Sequence, residues 1–133
     1  MTPSDRPTRR LTMALGALTA LGAAAIDMYL PALPAIDREL ATGAVTAQQT
    51  LSAFFLGLAA GQLIYGPLSD RFGRRPVIAF GVVLFVVTSL VCAFANSMET
   101  LLLGRFFQAL AASAGAIVGR AVVRDLYRLD DAA

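Results

Sequence analysis

The sequence predicts an all-α membrane protein with four transmembrane helices, and three observations predict it. First, 57% of the 133 residues are hydrophobic and 15% are charged, whereas about a quarter of the residues of a soluble domain are charged. Second, four apolar stretches are long enough, at ~1.5 Å rise per residue, to cross a hydrocarbon core of ~30 Å. Third, the arginines are concentrated in alternate connections between these stretches, as in multi-pass membrane proteins.

The first predicted span covers residues 11–30 and follows a short tail, residues 1–10. It contains one charged residue, Asp27. An alternative is a cleavable signal peptide, because two arginines precede the apolar run and Ala23-Ala24-Ala25 follows it. The apolar residues continue past Asp27, which favours a span.

The other three predicted spans are residues 46–67, 76–95 and 100–120. The second and third contain no charged residue inside these limits, and the fourth contains Arg105, with Arg120 at its cytoplasmic edge. Soluble proteins do not contain four consecutive helices of this length and polarity, because the hydrocarbon core sets the length and excludes charges.

The arginines predict the orientation. Nine of them lie before the first span, between the second and third, or after the fourth, and on the opposite side the connections contain only Arg38. Because cytoplasmic connections are enriched in basic residues, both termini are predicted to be cytoplasmic. The nine are Arg6, Arg9, Arg10, Arg71, Arg74, Arg75, Arg120, Arg124 and Arg128.

Helical periodicity predicts which sides of the spans face protein. In the fourth span one side combines two polar residues with small ones, and its members are Arg105, Gln108, Ala112, Gly115 and Gly119. Residues on another side are large and apolar and suit lipid, namely Leu102, Phe106, Leu110 and Ile117. The first span has a similar small and polar side, Gly16, Ala20, Ala23 and Asp27. In the second span, Ala53, Gly57 and Gly61 predict close helix packing.

Asp27 and Arg105 are the two charges inside predicted spans, both in the outer half of the bilayer. Such a charge costs ~2.5–3.5 kcal/mol on insertion scales, which makes a functional role the default hypothesis. Removal from water favours the neutral form of a carboxyl group such as that of Asp27, and a nearby arginine favours its charged form. When the two effects balance, the group holds either a proton or a cationic substrate and exchanges one for the other. The alternatives are that Asp27 caps the turn at the outer interface and that Arg105 anchors the backbone or an ion pair.

The connector at residues 66–76 resembles the signature loop of the major facilitator superfamily at every defining position: Gly66, Leu68, Asp70, Arg71, Gly73, Arg74 and Arg75. Asp27-Met28-Tyr29-Leu30-Pro31-Ala32-Leu33-Pro34 resembles the span-one motif of drug/proton antiporters of the bicyclomycin-resistance (Bcr/CflA) type. Arg105-Phe106-Phe107-Gln108 is similar to a motif in span four of proton-coupled members.

This resemblance implies that residues 11–133 form part of the N-terminal half of a major facilitator fold in a bacterial inner membrane, with four of about twelve spans. It implies export of a drug-like small molecule by alternating access, coupled to protons. Asp27, Arg105 and Gln108 would bind proton or substrate. The signature residues Gly66, Asp70, Arg71, Gly73, Arg74 and Arg75 would gate the cytoplasmic side, and Arg74 is expected to pair with Asp125.

The four spans alone are expected not to transport, because the missing C-terminal spans are needed. Two alternatives stay open: a small membrane protein or assembly subunit derived from a facilitator, and a four-span transporter that works as an oligomer. An enzyme is not expected, because the chain has no histidine and one cysteine, Cys92, to which no role is assigned. The same composition predicts no metal site of the His/Cys kind and no cofactor. The net charge of +2 does not indicate nucleic-acid binding.

Overall fold

The computed structural model describes residues 5–40 and 44–130, with side chains at positions 13–14, 16–17, 19–40 and 48–120. Within these ranges the chain is helical and contains no strand. The helices are α1 (Asp5–Asp27), α2 (Leu33–Leu40), α3 (Ala44–Phe72), α4 (Arg74–Ala93) and α5 (Met98–Asp130), and a 3-10 turn (Leu30–Ala32) joins α1 to α2.

Four segments of the described chain are long and apolar enough to cross a membrane: Thr19–Leu40, Gln48–Phe72, Arg74–Ala93 and Met98–Arg120. The predicted fold class, all-α with four spans, is therefore confirmed. α1 begins at Asp5 and ends at Asp27, and the first apolar segment found among the described residues continues through the 3-10 turn into α2.

α5 lies at the centre of the fold and contacts α1, α3 and α4. Of its apolar segment, 61% is buried, against 22% for that of α3 and 17% for that of α4. The contacts are close because glycines face α5. A Cβ atom added to Gly57 would overlap the Phe106 carbonyl, one added to Gly61 would overlap Ser113, and one added to Gly81 would lie 2.6 Å from the Ala114 Cβ atom. Small residues thus bring the backbones together, as in other membrane helix pairs.

The sides of α5 agree in part with the prediction. The side predicted to face protein, Arg105, Gln108, Ala112, Gly115 and Gly119, is buried throughout. The predicted lipid side is wrong in detail, because Leu102, Phe106, Leu110 and Ile117 are half-buried. Leu110 and Ile117 pack against a core of Tyr65, Val77, Ala114 and Val118. Among the side chains described for α5, the exposed large hydrophobic ones are Leu103 and Phe107.

The connector at residues 66–76 is mostly helical rather than a turn. α3 continues through Pro67 to Phe72, and α4 begins at Arg74, so Gly73 alone separates the two helices. Gly73 has φ = 87°, in the left-handed region that glycine tolerates best. Pro76 falls in the first turn of α4, where a backbone N–H group has no helical partner and its loss costs little.

Candidate functional site

Arg105 is the centre of a buried polar cluster at the end of the fold that carries α2. Its side chain is 3% exposed. The guanidinium carbon lies 3.9 Å from the ring centre of Tyr29 and 4.4 Å from that of Phe54, so two aromatic faces stabilise the charge. Arg105 forms no ion pair within the described part of the chain, and neutral groups therefore hold this cation.

The hydrogen bonds of Arg105 extend across α5 to α4. Its Nη1 atom donates to Gln108 Oε1 at 2.7 Å. Gln108 Nε2 donates to Ser89 Oγ at 2.7 Å, and Ser89 Oγ in turn donates to the Phe85 carbonyl at 2.7 Å. The amide orientation of Gln108 is thereby fixed at both ends, which holds α4 and α5 in one register.

Tyr29 connects the cluster to α3. Its hydroxyl group hydrogen-bonds to the Thr50 hydroxyl, while its ring covers Arg105. Thr50 and Phe54 are fully buried, one turn apart on α3. We call Tyr29, Thr50, Ser89, Arg105 and Gln108 the Arg105 network; it joins the segment after α1 to α3, α4 and α5.

The network also holds the C-terminal end of α1. Arg105 Nη2 donates to the Ala25 carbonyl at 3.2 Å. The last four carbonyl groups of a helix have no partner inside it, and a cation near that end is favourable. Arg105 supplies a hydrogen-bond donor to the Ala25 carbonyl group and a positive charge near the end of the helix. This is what the predicted alternative, an anchor for the backbone, requires.

Asp27 is the last residue of α1, and its side chain is exposed. Gly16, Ala20, Ala23 and Asp27 are all exposed, so the side of α1 that carries them does not pack against the other described helices. α1 instead packs through Gly22, where an added Cβ atom would lie 3.7 Å from that of Ala112. Two sides of α1 contain small residues, so periodicity could not choose between them. The structure thus brings together Arg105 and Gln108 but leaves Asp27 on another surface.

The signature residues lie at the opposite end of the fold. Arg71 is in the last turn of α3, where its charge complements the helix dipole, and its guanidinium carbon lies 5.5 Å from the Phe72 ring centre. Asp70, Arg71 and Arg75 are exposed, and Arg74 is half-buried. Gly66 lies inside α3 with open space where a Cβ atom would be. The side chain of Asp125, the predicted partner of Arg74, lies outside the described residues.

A cavity of about 400 Å³ adjoins the Arg105 network. Its walls come from α2, α4 and α5, and include Tyr29, Glu39, Cys92 and Arg105. Asp27 does not contribute to its lining. In the part of the chain with described side chains, no group of three or more His, Cys, Asp or Glu residues is placed to hold a metal ion.

Sequence reasoning missed Tyr29, Thr50 and Ser89. Tyr29 lies two residues after Asp27, inside a motif already quoted, but its role depends on a contact with α5 that periodicity does not predict. Ser89 could have been found, since Thr88 and Ser89 are the hydroxyl residues of an otherwise apolar span. Thr50 carries no signal that separates it from other hydroxyl residues near a span end.

Comparison with known proteins identifies the relatives of the chain. The family description "Major Facilitator Superfamily" matches residues 11–132. An uncharacterized MFS-type transporter of Bacillus subtilis, YdgK, is 42% identical over 94% of this chain and 31% of its own length. A chloramphenicol resistance protein of Pseudomonas aeruginosa is 46% identical over 80% of this chain and 26% of its own length.

A bicyclomycin resistance protein homolog of Haemophilus influenzae is 37% identical over 89% of this chain and 30% of its own length. The chain therefore spans about a quarter to a third of the length of the curated relatives it matches.

Proposed function

Because the chain belongs to the major facilitator superfamily, we propose that its four spans work in a bacterial inner-membrane exporter that exchanges protons for drug-like molecules. Membership of the family supports transport of small molecules across a lipid bilayer. Two relatives named for resistance to chloramphenicol and bicyclomycin support drug-like substrates. Alternating access in this family needs two halves that move around a central site, so in this proposal the four spans do not transport alone.

The observation that carries the proposal is the burial of Arg105 without a carboxylate partner. A buried charge inside a span is costly, and such residues mark transport pathways in membrane proteins. Arg105 is held by two aromatic rings, an amide and a carbonyl group, all of them neutral. Its positive charge is therefore not cancelled inside the described structure, which suits a group that senses an approaching proton or cation.

Asp27 is proposed to face the substrate pathway. An exposed carboxylate on a membrane span is costly against hydrocarbon, so the side of α1 that carries Gly16, Ala20, Ala23 and Asp27 is expected to face protein or water. Asp27 lies two residues after Ala25, whose carbonyl group Arg105 binds. Binding of a proton or substrate at Asp27 would thus act on the C-terminal end of α1, which Arg105 contacts. The hydrogen bond from Arg105 would transmit the change to α5.

The signature segment is proposed to gate the cytoplasmic side. Its arginines lie at the end of the fold opposite the Arg105 network, which supports the predicted orientation with both termini in the cytoplasm. Gly73 gives a single pivot between α3 and α4. We include the predicted pair of Arg74 and Asp125 in the proposal; a charge-swap variant that failed to restore activity lost in both single variants would contradict it.

The test uses the natural gene product that contains these spans. In everted membrane vesicles energised by respiration, addition of a substrate drug should release protons, and Asp27→Asn should abolish that release. Glu99→Gln is the matched control, because Glu99 is an exposed carboxylate at the start of α5 and belongs to neither cluster. Unchanged drug-induced proton release in Asp27→Asn would contradict the proposal.

A second candidate is a non-transporting subunit that assembles with other membrane proteins, and the exposed small and polar side of α1 favours it. This candidate predicts that a drug-sensitive host gains no resistance from the natural gene product and that Asp27→Asn disrupts an assembly instead. Drug susceptibility of the host, measured beside the size of the complex in mild detergent, separates the two.

A further inference from the structure

The cavity beside the Arg105 network has the size and composition of a small-molecule site. Its volume of about 400 Å³ falls within the range of ~300–1,000 Å³ that is typical of ligand pockets. Such pockets combine apolar walls with a few polar groups at fixed positions. Here the apolar groups include Ile36 and Leu101, and the polar groups include Ser89 and Gln108. The cavity is therefore suited to a molecule with an apolar body and a polar end.

Arg105 brings an uncompensated positive charge to this cavity. Its guanidinium group has more N–H donors than the acceptors that the described residues offer it, which are Gln108 Oε1 and the Ala25 carbonyl group. Its Nε atom is buried and has no hydrogen-bond partner within the same residues. A buried charged group with an unused donor is costly. A negatively charged group beside Arg105 would lower that cost, and the cavity gives it the space.

The two charged residues of the lining, Arg105 and Glu39, differ in exposure. Arg105 is 3% exposed, whereas Glu39 lies exposed on α2. Water and salt screen an exposed charge much more than a buried one. Arg105 is also close enough to act electrostatically on Cys92, another residue of the lining. The positive charge of Arg105 therefore dominates the interior of the cavity, which favours an anion there over a cation.

We propose that this cavity binds a small organic carboxylate, whose charged end lies beside Arg105 and whose apolar body lies against Ile36 and Leu101. Pairs of a guanidinium and a carboxylate group form strong charge-assisted hydrogen bonds. The bound molecule would contact α2, α4 and α5 together and hold α2 against the other two helices. Asp27 does not line the cavity, so this site does not depend on the proposed exchange of protons for drug-like molecules.

Direct binding tests the proposal with three aromatic molecules of similar shape. Benzoate, benzamide and benzamidinium are negative, neutral and positive at neutral pH. The full 133-residue chain, purified in uncharged detergent micelles, is dialysed to equilibrium against radiolabelled benzoate, with empty micelles as the blank. We expect saturable binding. Unlabelled benzoate should displace the label at least about tenfold more effectively than benzamide or benzamidinium, because only benzoate forms the hydrogen bond between two charged groups.

Cys92 reports where benzoate binds, because it lines the cavity and is the single cysteine of the chain. N-ethylmaleimide is uncharged and similar in size to benzoate, and its C=C bond adds the thiol sulfur and a proton. Saturating benzoate should slow the labelling of Cys92 at least about threefold, because an occupied cavity excludes the reagent. Benzamide at the same concentration should slow it little.

Three variants test the charges. Glu39→Gln should strengthen benzoate binding about twofold, because a unit negative charge at roughly 10 Å in water weakens the binding of an anion by about that factor. Glu99→Gln is the matched control, since Glu99 is an exposed carboxylate outside the lining, and it should leave the affinity unchanged. Arg105→Gln should abolish the binding of benzoate.

Each other outcome overturns the proposal. If benzamidinium displaces benzoate equally well, or Arg105→Gln still binds it, the charge of Arg105 does not hold the ligand. If benzoate binds without slowing the labelling of Cys92, it binds elsewhere on the chain. If N-ethylmaleimide does not reach Cys92 in the folded chain, the cavity is closed to molecules of this size. The natural gene product that contains these spans should bind benzoate too; absence of binding there would show that the cavity is filled by other parts of that product.

Discussion

Two consecutive stretches of α5 hold their neighbours in opposite ways. Between Arg105 and Gln108, long polar side chains cross to α1, α3 and α4. Between Ala109 and Gly115, five of the seven residues are alanine and glycine, and six of the seven are buried. There, the backbones of neighbouring helices approach closely because most of the side chains are small. A membrane helix lacks the hydrophobic driving force available in water, so contact between helices comes from close packing and from hydrogen bonds. α5 uses hydrogen bonds in the first stretch and close packing in the second.

The difference lies in what each stretch tolerates. Close packing fails when a single methyl group is added, since rigid backbone atoms cannot move aside. A hydrogen-bond network fails when one member is removed, since the others lose partners. Variants that add a methyl group therefore test the close packing, and variants that remove a polar side chain test the hydrogen bonds.

The largest effect is expected from Gly57→Ala. Gly57 packs where the two stretches meet: an added Cβ atom would overlap the Phe106 carbonyl and lie 3.0 Å from the Ala109 Cβ atom, so α3 must move away from α5. Overpacking of this kind costs typically 1–3 kcal/mol, and we expect about 3 kcal/mol because the obstacle is backbone. The measurement is the free energy of unfolding in mixed micelles titrated with SDS.

Gly66→Ala is the matched control on the same helix, because an added Cβ atom there has nothing within 4 Å. It should leave the free energy of unfolding unchanged or raise it by up to about 1 kcal/mol, because alanine favours a helix over glycine. Equal losses in both variants would mean that the α3–α5 contact is not set by small residues.

An intermediate effect is expected from Arg105→Met. The Ala25 carbonyl and Gln108 Oε1 both lose their donor, for a loss of about 2 kcal/mol in the free energy of unfolding. Because replacing both partners by apolar groups can be nearly neutral, the double variant Arg105→Met/Gln108→Leu should recover part of that loss.

The same micelle titration measures both variants. A single Arg105→Met variant as stable as wild type would show that the network contributes nothing to helix association. The alanine-rich stretch alone would then stabilise the packing of α5, and the charge of Arg105 would serve only the proposed function.

The smallest effect is expected from Tyr29→Phe. The ring over Arg105 remains, and only the hydroxyl group that bonds to Thr50 is lost, so the cost is about 1 kcal/mol. A double-mutant cycle with Thr50→Val isolates the pair, with an expected coupling of about 0.5–1.5 kcal/mol. A coupling of zero would mean that Tyr29 acts only through its ring.

Some of this arrangement could be predicted from the sequence, and the reason is periodicity. The buried side of α5 follows from spacings of three and four residues, and the glycines of α3 follow from spacings of four. The side of α1 that faces the bundle could not be predicted, because Gly22 and the stripe that ends at Asp27 offer equally small surfaces. The contact between Tyr29 and Arg105 joins residues 76 positions apart, and no local pattern specifies it.

The connector shows a different limit. A run with two glycines, two prolines and three arginines is typical of a turn, yet all of it except Gly73 is helical. Pro67 is accommodated inside α3, and Ser69 Oγ donates to the Gly66 carbonyl at 2.9 Å. Charge and composition predicted a connection at this place, and in the structure it is shortened to Gly73.

The junction at Gly73 has a mechanical consequence. A linker of one residue fixes the distance between the end of α3 and the start of α4, since consecutive Cα atoms are ~3.8 Å apart. α4 cannot slide away from α3 or shift along it by a turn; it can only swivel about one pair of backbone dihedral angles. Any movement of the C-terminal end of α3 must therefore change the tilt of α4.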